Sequence, residues 1–148
     1  MKLNKLALIA LALGLTFTSC SNDDDATPVV PLGDYENGII ISEEGNFGSG
    51  NGAITFVSND LESIENNVYN NVNNATLGNT VQSMAFNGET AYIIENGSNA
   101  IQVVNRNTFE AITTISSGFS NPRYMTVVNG KGYITNWGDG NDATDDFV

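Results

Sequence analysis

SMAFNGETAYIIENGSNAIQVV (residues 83–104) and YMTVVNGKGYITNWGDGNDATDDFV (residues 124–148) decide the fold. Met84 and Met125 are 41 residues apart, and the pairs Asn87-Gly88 and Asn129-Gly130 are 42 apart. Each pair is followed by a Tyr-Ile strand start, Tyr92-Ile93 and Tyr133-Ile134. Asn-Gly between alternating apolar runs marks a β-hairpin, because the central turn residues must tolerate positive φ. A more divergent copy begins at Gly38, in GIIISEEGNFGSGNGAITFV.

A β-rich repeat of about 40–45 residues has the spacing of a propeller blade, with four strands per blade. The spacing predicts a first blade from strands 39–42, 53–57, 63–68 and 81–86, and a second from 91–95, 100–104, 109–115 and 123–128. A third blade opens at 132–136. The turns fall at 96–99 and 105–107. The Asn-rich insert 70–79 reads as a surface loop, since asparagine packs poorly in a core. The expected fold is all-β, an incomplete β-propeller of about two and a half blades. A closed seven-bladed parent would need roughly 300 residues, so the sequence reads as an N-terminal fragment whose unpaired strand edges invite aggregation.

Ahead of the repeats, Lys2 and Lys5 precede an apolar run from Leu6 to Phe17. Twelve residues are too few to span a bilayer, which takes roughly 20, but they suit a secretory signal peptide. Thr18 and Ser19 then lead into Cys20, the single cysteine of the chain. The arrangement resembles a bacterial lipobox, although Phe17 stands where that signal usually has an aliphatic residue. The resemblance implies that Cys20 is acylated and becomes the first residue of the mature chain. Each buried CH₂ adds about 0.8 kcal/mol of anchoring, and two or more acyl chains hold far better than one. The run Ser21 to Asp25 cannot pack. Its Asp23, Asp24 and Asp25 resemble the export signal of surface lipoproteins in some Gram-negative bacteria, which implies an outer-membrane protein facing the medium. Three segments result: a signal peptide (1–19), an acidic and Pro-containing tether (20–34), and partial propeller repeats (35–148).

Removing residues 1–19 leaves Arg106, Arg123 and Lys131 against 17 acidic residues, a net charge of −14. Nucleic-acid binding needs a basic surface and is not expected. The chain has no histidine. Ser-His-Asp and Cys-His catalysis therefore have no residues to use, and His/Cys zinc ligation has none either. No enzyme activity and no cofactor are expected of this segment. The glycine-rich stretch 45–52 lacks the Gly-Lys-Ser/Thr of a phosphate-binding loop. Asp139, Asn141, Asp142 and Asp145 gather hard oxygen donors and form a weak calcium candidate, without the EF-hand spacing. Glu43 and Glu44 are adjacent on a strand, so they point to opposite faces and do not make a glycosidase pair.

Glu44-Gly45-Asn46-Phe47-Gly48, Asn121-Pro122-Arg123-Tyr124 and Thr135-Asn136-Trp137-Gly138-Asp139-Gly140 are the motifs that carry a family likeness. They resemble the YncE-like seven-bladed propeller lipoproteins found beside TonB-dependent transporters, over nearly all of the mature chain. The likeness implies a lipid-anchored binding protein that captures a small nutrient, such as cobalamin, and passes it to a TonB-dependent transporter. One alternative is an extracytoplasmic propeller enzyme, dehydrogenase-like or lactonase-like, with its active site in further blades. Another is a surface adhesion protein. Trp137, the single tryptophan, is the first candidate ligand contact, with Phe47, Glu44 and Asn136 beside it. Blades are related by rotation, so the loops after equivalent strands are expected on one face.

Overall fold

A computed structural model describes residues 30–148. The signal peptide, Cys20, Asp23–Asp25 and most of the tether lie outside the described residues. Strands make up 44% of the described residues and helix 5%, so the fold is all-β. Nine strands are found among the described residues: β1 (Gly38–Glu43), β2 (Ala53–Ser58), β3 (Ile64–Glu65), β4 (Val81–Asn87), β5 (Thr90–Glu95), β6 (Ala100–Asn105), β7 (Ala111–Ile115), β8 (Pro122–Val128) and β9 (Lys131–Asn136). A short helix, α1 (Val68–Asn73), follows β3. The strands form three antiparallel sheets in chain order, β1-β2-β3, β4-β5-β6-β7 and β8-β9, called here sheets one, two and three. The stack does not close, which is an incomplete propeller-like arrangement.

The repeat is strict. β4-β5 and β8-β9 are hairpins with the same register 41 residues apart: Met84 pairs with Ile93 and Met125 with Ile134. Both carry a bulge at the same place, between Val81 and Ser83 and between Pro122 and Tyr124. Residues 88–89 and 129–130 are the two-residue loops. The dipeptide that reveals the repeat slides by one position between them. Asn129 and Gly130 both sit at positive φ, 52° and 74°, as a type I′ turn demands. In the first hairpin Asn87 still pairs with Thr90, and only Gly88, at φ 58°, turns left-handed.

These hairpins correct the blade boundaries expected from the sequence. Strands 81–86 and 91–95 were expected in different blades, as were 123–128 and 132–136. A two-residue turn leaves no chain for crossing to another sheet, so each Asn-Gly joins neighbours in one sheet. Each unit therefore begins one strand earlier, and sheet one starts at the equivalent of β5. The strand expected at 63–68 shrinks to Ile64–Glu65, and the one expected at 109–115 begins at Ala111. Phe109 sits just before it at φ 57° and is fully buried.

The sheets stack face on face. Ala91, Ile93, Val104 and Phe109 of sheet two and its edge pack with Ile54 and Phe56 of sheet one and with Tyr35. Tyr35 stands edge-on to both Phe56 and Phe109, with ring centroids 5.3 Å apart in each case, the favoured geometry for aromatic pairs. On the opposite face, Ile94, Ile101 and Val103 pack with Phe119, Met125 and Ile134. The Asn-rich insert is not the bare surface loop expected. Val68, Tyr69 and Leu77 enter the first core. The Asn73 amide donates to the carbonyls of Tyr69 and Phe109 (both 2.9 Å), and its oxygen accepts from Ala111 N–H at 2.8 Å. Asparagine serves here because its paired donor and acceptor satisfy backbone that the short strands leave unpaired.

Candidate functional site

The loops that follow β1, β5 and β9 meet along one edge of the stack, and two side chains tie them together. The Asn79 side-chain oxygen accepts from Gly48 N–H at 3.0 Å, while its backbone carbonyl accepts from Gly97 N–H at 3.0 Å. Asn99 Oδ1 accepts from Asn121 N–H at 2.6 Å, and the Asn121 carbonyl accepts from Trp137 N–H at 3.0 Å. The 41-residue repeat holds in this clasp too. Asn96 and Gly97 donate to Thr80 and Asn79 as Trp137 and Gly138 donate to Asn121 and Ser120. Thr80 and Asn121 both take left-handed backbone, φ 58° and 54°. Asparagine tolerates this conformation, whereas a β-branched threonine is strained in it.

Trp137 is the half-exposed member of this edge, at 50%. The Arg123 guanidinium lies 4.9 Å from its ring centroid, within cation–π range. Both line a groove of about 500 Å³ with Tyr124, Thr135, Asn136 and the segment 146–148. Asn136 is buried. Its Oδ1 accepts from Ser120 N–H at 3.1 Å, and its amide donates to the Ile134 carbonyl at 3.0 Å. It therefore holds the groove floor, with its side-chain oxygen and one amide N–H engaged. Phe47 is 87% exposed, and Glu44 is exposed as well. Both lie on the loop after β1, on the same edge as Trp137 but beyond the 96–99 turn.

Asp139, Asn141, Asp142 and Asp145 do not converge as a calcium cradle. Among the described residues no group of three or more potential metal ligands forms. Asp139 Oδ1 accepts from the backbone and side-chain nitrogens of Asn141, both at 3.0 Å. Asp142 accepts from Thr144, and Asp145 from the Asp139 N–H at 2.8 Å. These local bonds hold Asp139 and Asp142 below the usual carboxylate range.

Sequence reasoning passed over two residues here. Arg123 is one of only three basic residues after residue 19, and its place one residue before Tyr124 in the repeat was the available signal. Glu95 is buried, accepting from Gly78 N–H at 2.8 Å and from the Gln102 amide at 3.2 Å. Its repeat partner is Asn136, an amide, and a carboxylate at a strand end gave no hint of burial.

No curated protein matches the chain. Residues 37–140, more than half of the 148 and inclusive of all three sheets, match a family described as Domain of unknown function (DUF5074); the chain belongs to that family.

Proposed function

We propose that this chain is a lipid-anchored, surface-exposed binding module of the YncE-like propeller kind, which captures a small nutrient for a TonB-dependent transporter. The observation that carries the reading is the groove in which half-exposed Trp137 stands under the Arg123 guanidinium. An aromatic plane, a fixed cation and the Tyr124 ring suit a flat, oxygen-rich or anionic molecule. The apolar run ending at Cys20 and the acidic run Asp23 to Asp25 support the anchored, outward-facing placement. No covalent step is required of any residue.

Trp137 is the only tryptophan, so its fluorescence reports on the groove alone. Titrating the full chain with cobalamin and with short oligosaccharides is expected to give a saturable change for one of them. Arg123→Ala is expected to weaken that binding about thirtyfold, equivalent to roughly 2 kcal/mol at a hot spot. Calorimetric binding that leaves the emission unchanged and survives Trp137→Ala would move the site elsewhere. Anchoring is tested separately. Cells fed a clickable fatty acid label the wild-type chain, and label persisting on Cys20→Ala would refute acylation there. Protease shaving of intact cells tests exposure: protection of the protein while a surface marker is lost overturns it.

A further inference from the structure

We propose that the cavity between the glycine-rich loop after β1 and the Asn-rich insert binds a small neutral saccharide. The cavity has a volume of about 350 Å³. Ligand sites span about 300–1,000 Å³, so this one suits one or two sugar rings. Both walls come from the interior of the chain, Gly50 to Ile54 on one side and residues between 67 and 77 on the other. Two motifs that stand out in the sequence therefore meet in one place. Asn79 ties them together, its side-chain oxygen accepting from Gly48 N–H at 3.0 Å. Asn51 Oδ1 shapes the loop, accepting from Asn46 N–H at 2.8 Å and from the Ser49 hydroxyl at 2.7 Å.

The repeat shows what the insert adds. Between sheets two and three the chain passes from β7 to β8 over residues 116–121, whereas from β3 to β4 it takes residues 66–80. Val68, Tyr69 and Leu77 account for the packing of the longer connection. Its asparagines are not all spent on the protein. The side chains of Asn66, Asn71, Asn73 and Asn79 are hydrogen-bonded within the molecule. Asn67 precedes α1, yet its side chain makes no capping bond. Asn70, on α1, has no side-chain partner among the described residues either, and both line the cavity.

The lining decides the ligand class. Among the described residues no charged side chain lines the cavity, so an ion would find no counter-charge there. Tyr69 is 6% exposed and offers no open ring face for stacking a flat heterocycle. Each free carboxamide presents donors on one side and an acceptor on the other, which matches two neighbouring hydroxyls that can each donate and accept. Thr76 adds a hydroxyl, and Gly50 and Gly52 bring backbone without side chains. Buried Ile54 and Leu77 give an apolar floor for the C–H face of a sugar ring.

The test is calorimetry of the full chain with glucose, galactose, mannose and N-acetylglucosamine, and with glucuronate as the charged counterpart. At least one neutral sugar is expected to bind, and glucuronate is not. Asn70→Ala is expected to weaken that binding about tenfold, and alanine, a strong helix former, preserves α1. Asn67→Gly should cause a similar loss, since glycine accepts the left-handed φ of 58° at that position. Trp137→Ala should leave the binding unchanged, which separates this site from the groove and leaves each reading to its own test. The proposal is overturned by no heat from any of the neutral sugars at millimolar concentration, or by equal binding of glucuronate. It is also overturned by binding that survives both asparagine variants, or by binding that is lost with Trp137→Ala.

Discussion

Hairpins β4-β5 and β8-β9 share register, bulge and turn position at a fixed offset of 41 residues, yet one is covered on both faces and the other on one. Ile94 is fully buried; its counterpart Thr135 is exposed. Tyr92 packs against the second core, whereas Tyr133 stands in solvent. The local conformation is the same in both, so strand pairing and turn chemistry are properties of the repeat. Burial is a property of the neighbour. A residue that looks like core by pattern becomes core only when the next sheet arrives.

The largest effect that separates the hairpins is a cavity. Ile93→Ala removes a fully buried side chain from the first core and is expected to cost about 2–5 kcal/mol in denaturant unfolding. Ile134→Ala at the equivalent, partly covered site should cost less than half as much. Equal losses would mean that sheet three is as well packed as sheet two.

The strand ends give the next comparison. Glu95 and Asn136 both accept a backbone N–H from the preceding loop, from Gly78 and Ser120. Glu95→Ala leaves the Gly78 N–H and the Gln102 amide without their acceptor, at about 1–3 kcal/mol. Asn136→Ala loses neutral bonds, so a smaller loss is expected. The opposite order would show that the carboxylate's own burial offsets its bonds.

The turns should be nearly alike. A Cβ at Gly88 or Gly130 meets no atom within 4 Å, so only the positive φ resists it. Gly88→Ala and Gly130→Ala should each cost about 1 kcal/mol. A difference above that size would show that the sliding Asn-Gly pair matters energetically.

The smallest effect at neutral pH belongs to Tyr35, which joins sheets one and two. Burial first, and then the nearby Glu65 carboxylate, push its phenol up to about 12 from an ordinary 10. Between those values the unfolded chain binds fewer protons than the folded one. Stability contributed by Tyr35 is therefore intact below pH 10 and is lost as pH rises towards 12. Ultraviolet titration should show a late tyrosine phase that disappears in Tyr35→Phe. A normal titration would mean that the contact with Glu65 is not held in solution.

The hairpins and the repeat period were legible because Asn-Gly and alternating apolar residues act locally. The same signal, followed through, excludes the blade boundaries first drawn from it, since a tight turn keeps its two strands together. Ile64–Glu65 and α1 were misread because Val68 fits a strand pattern and the asparagines from 70 on read as a surface loop, while the burial of Val68 and Tyr69 depends on tertiary contacts. The loops bearing Glu44, Phe47 and Trp137 were placed on one edge by repeat logic. Arg123 beside Trp137 was not foreseen, because a cation over an aromatic ring joins residues across a strand pair, and the sequence marks it only as a rare basic residue before Tyr124.

The one-position slide of Asn-Gly also sets how the protein ages. Asparagine before glycine is chemically fragile, since the unhindered glycine nitrogen can attack the side-chain amide and leave an isoaspartyl linkage. Asn87 keeps its place in the strand ladder opposite Thr90, which restrains that attack. Asn129 occupies the turn itself, outside the ladder. Deamidation there would lengthen the backbone of a two-residue turn by one carbon and add a negative charge beside Lys131. Of these two hairpins, long storage should therefore wear the one in sheet three first, at its turn.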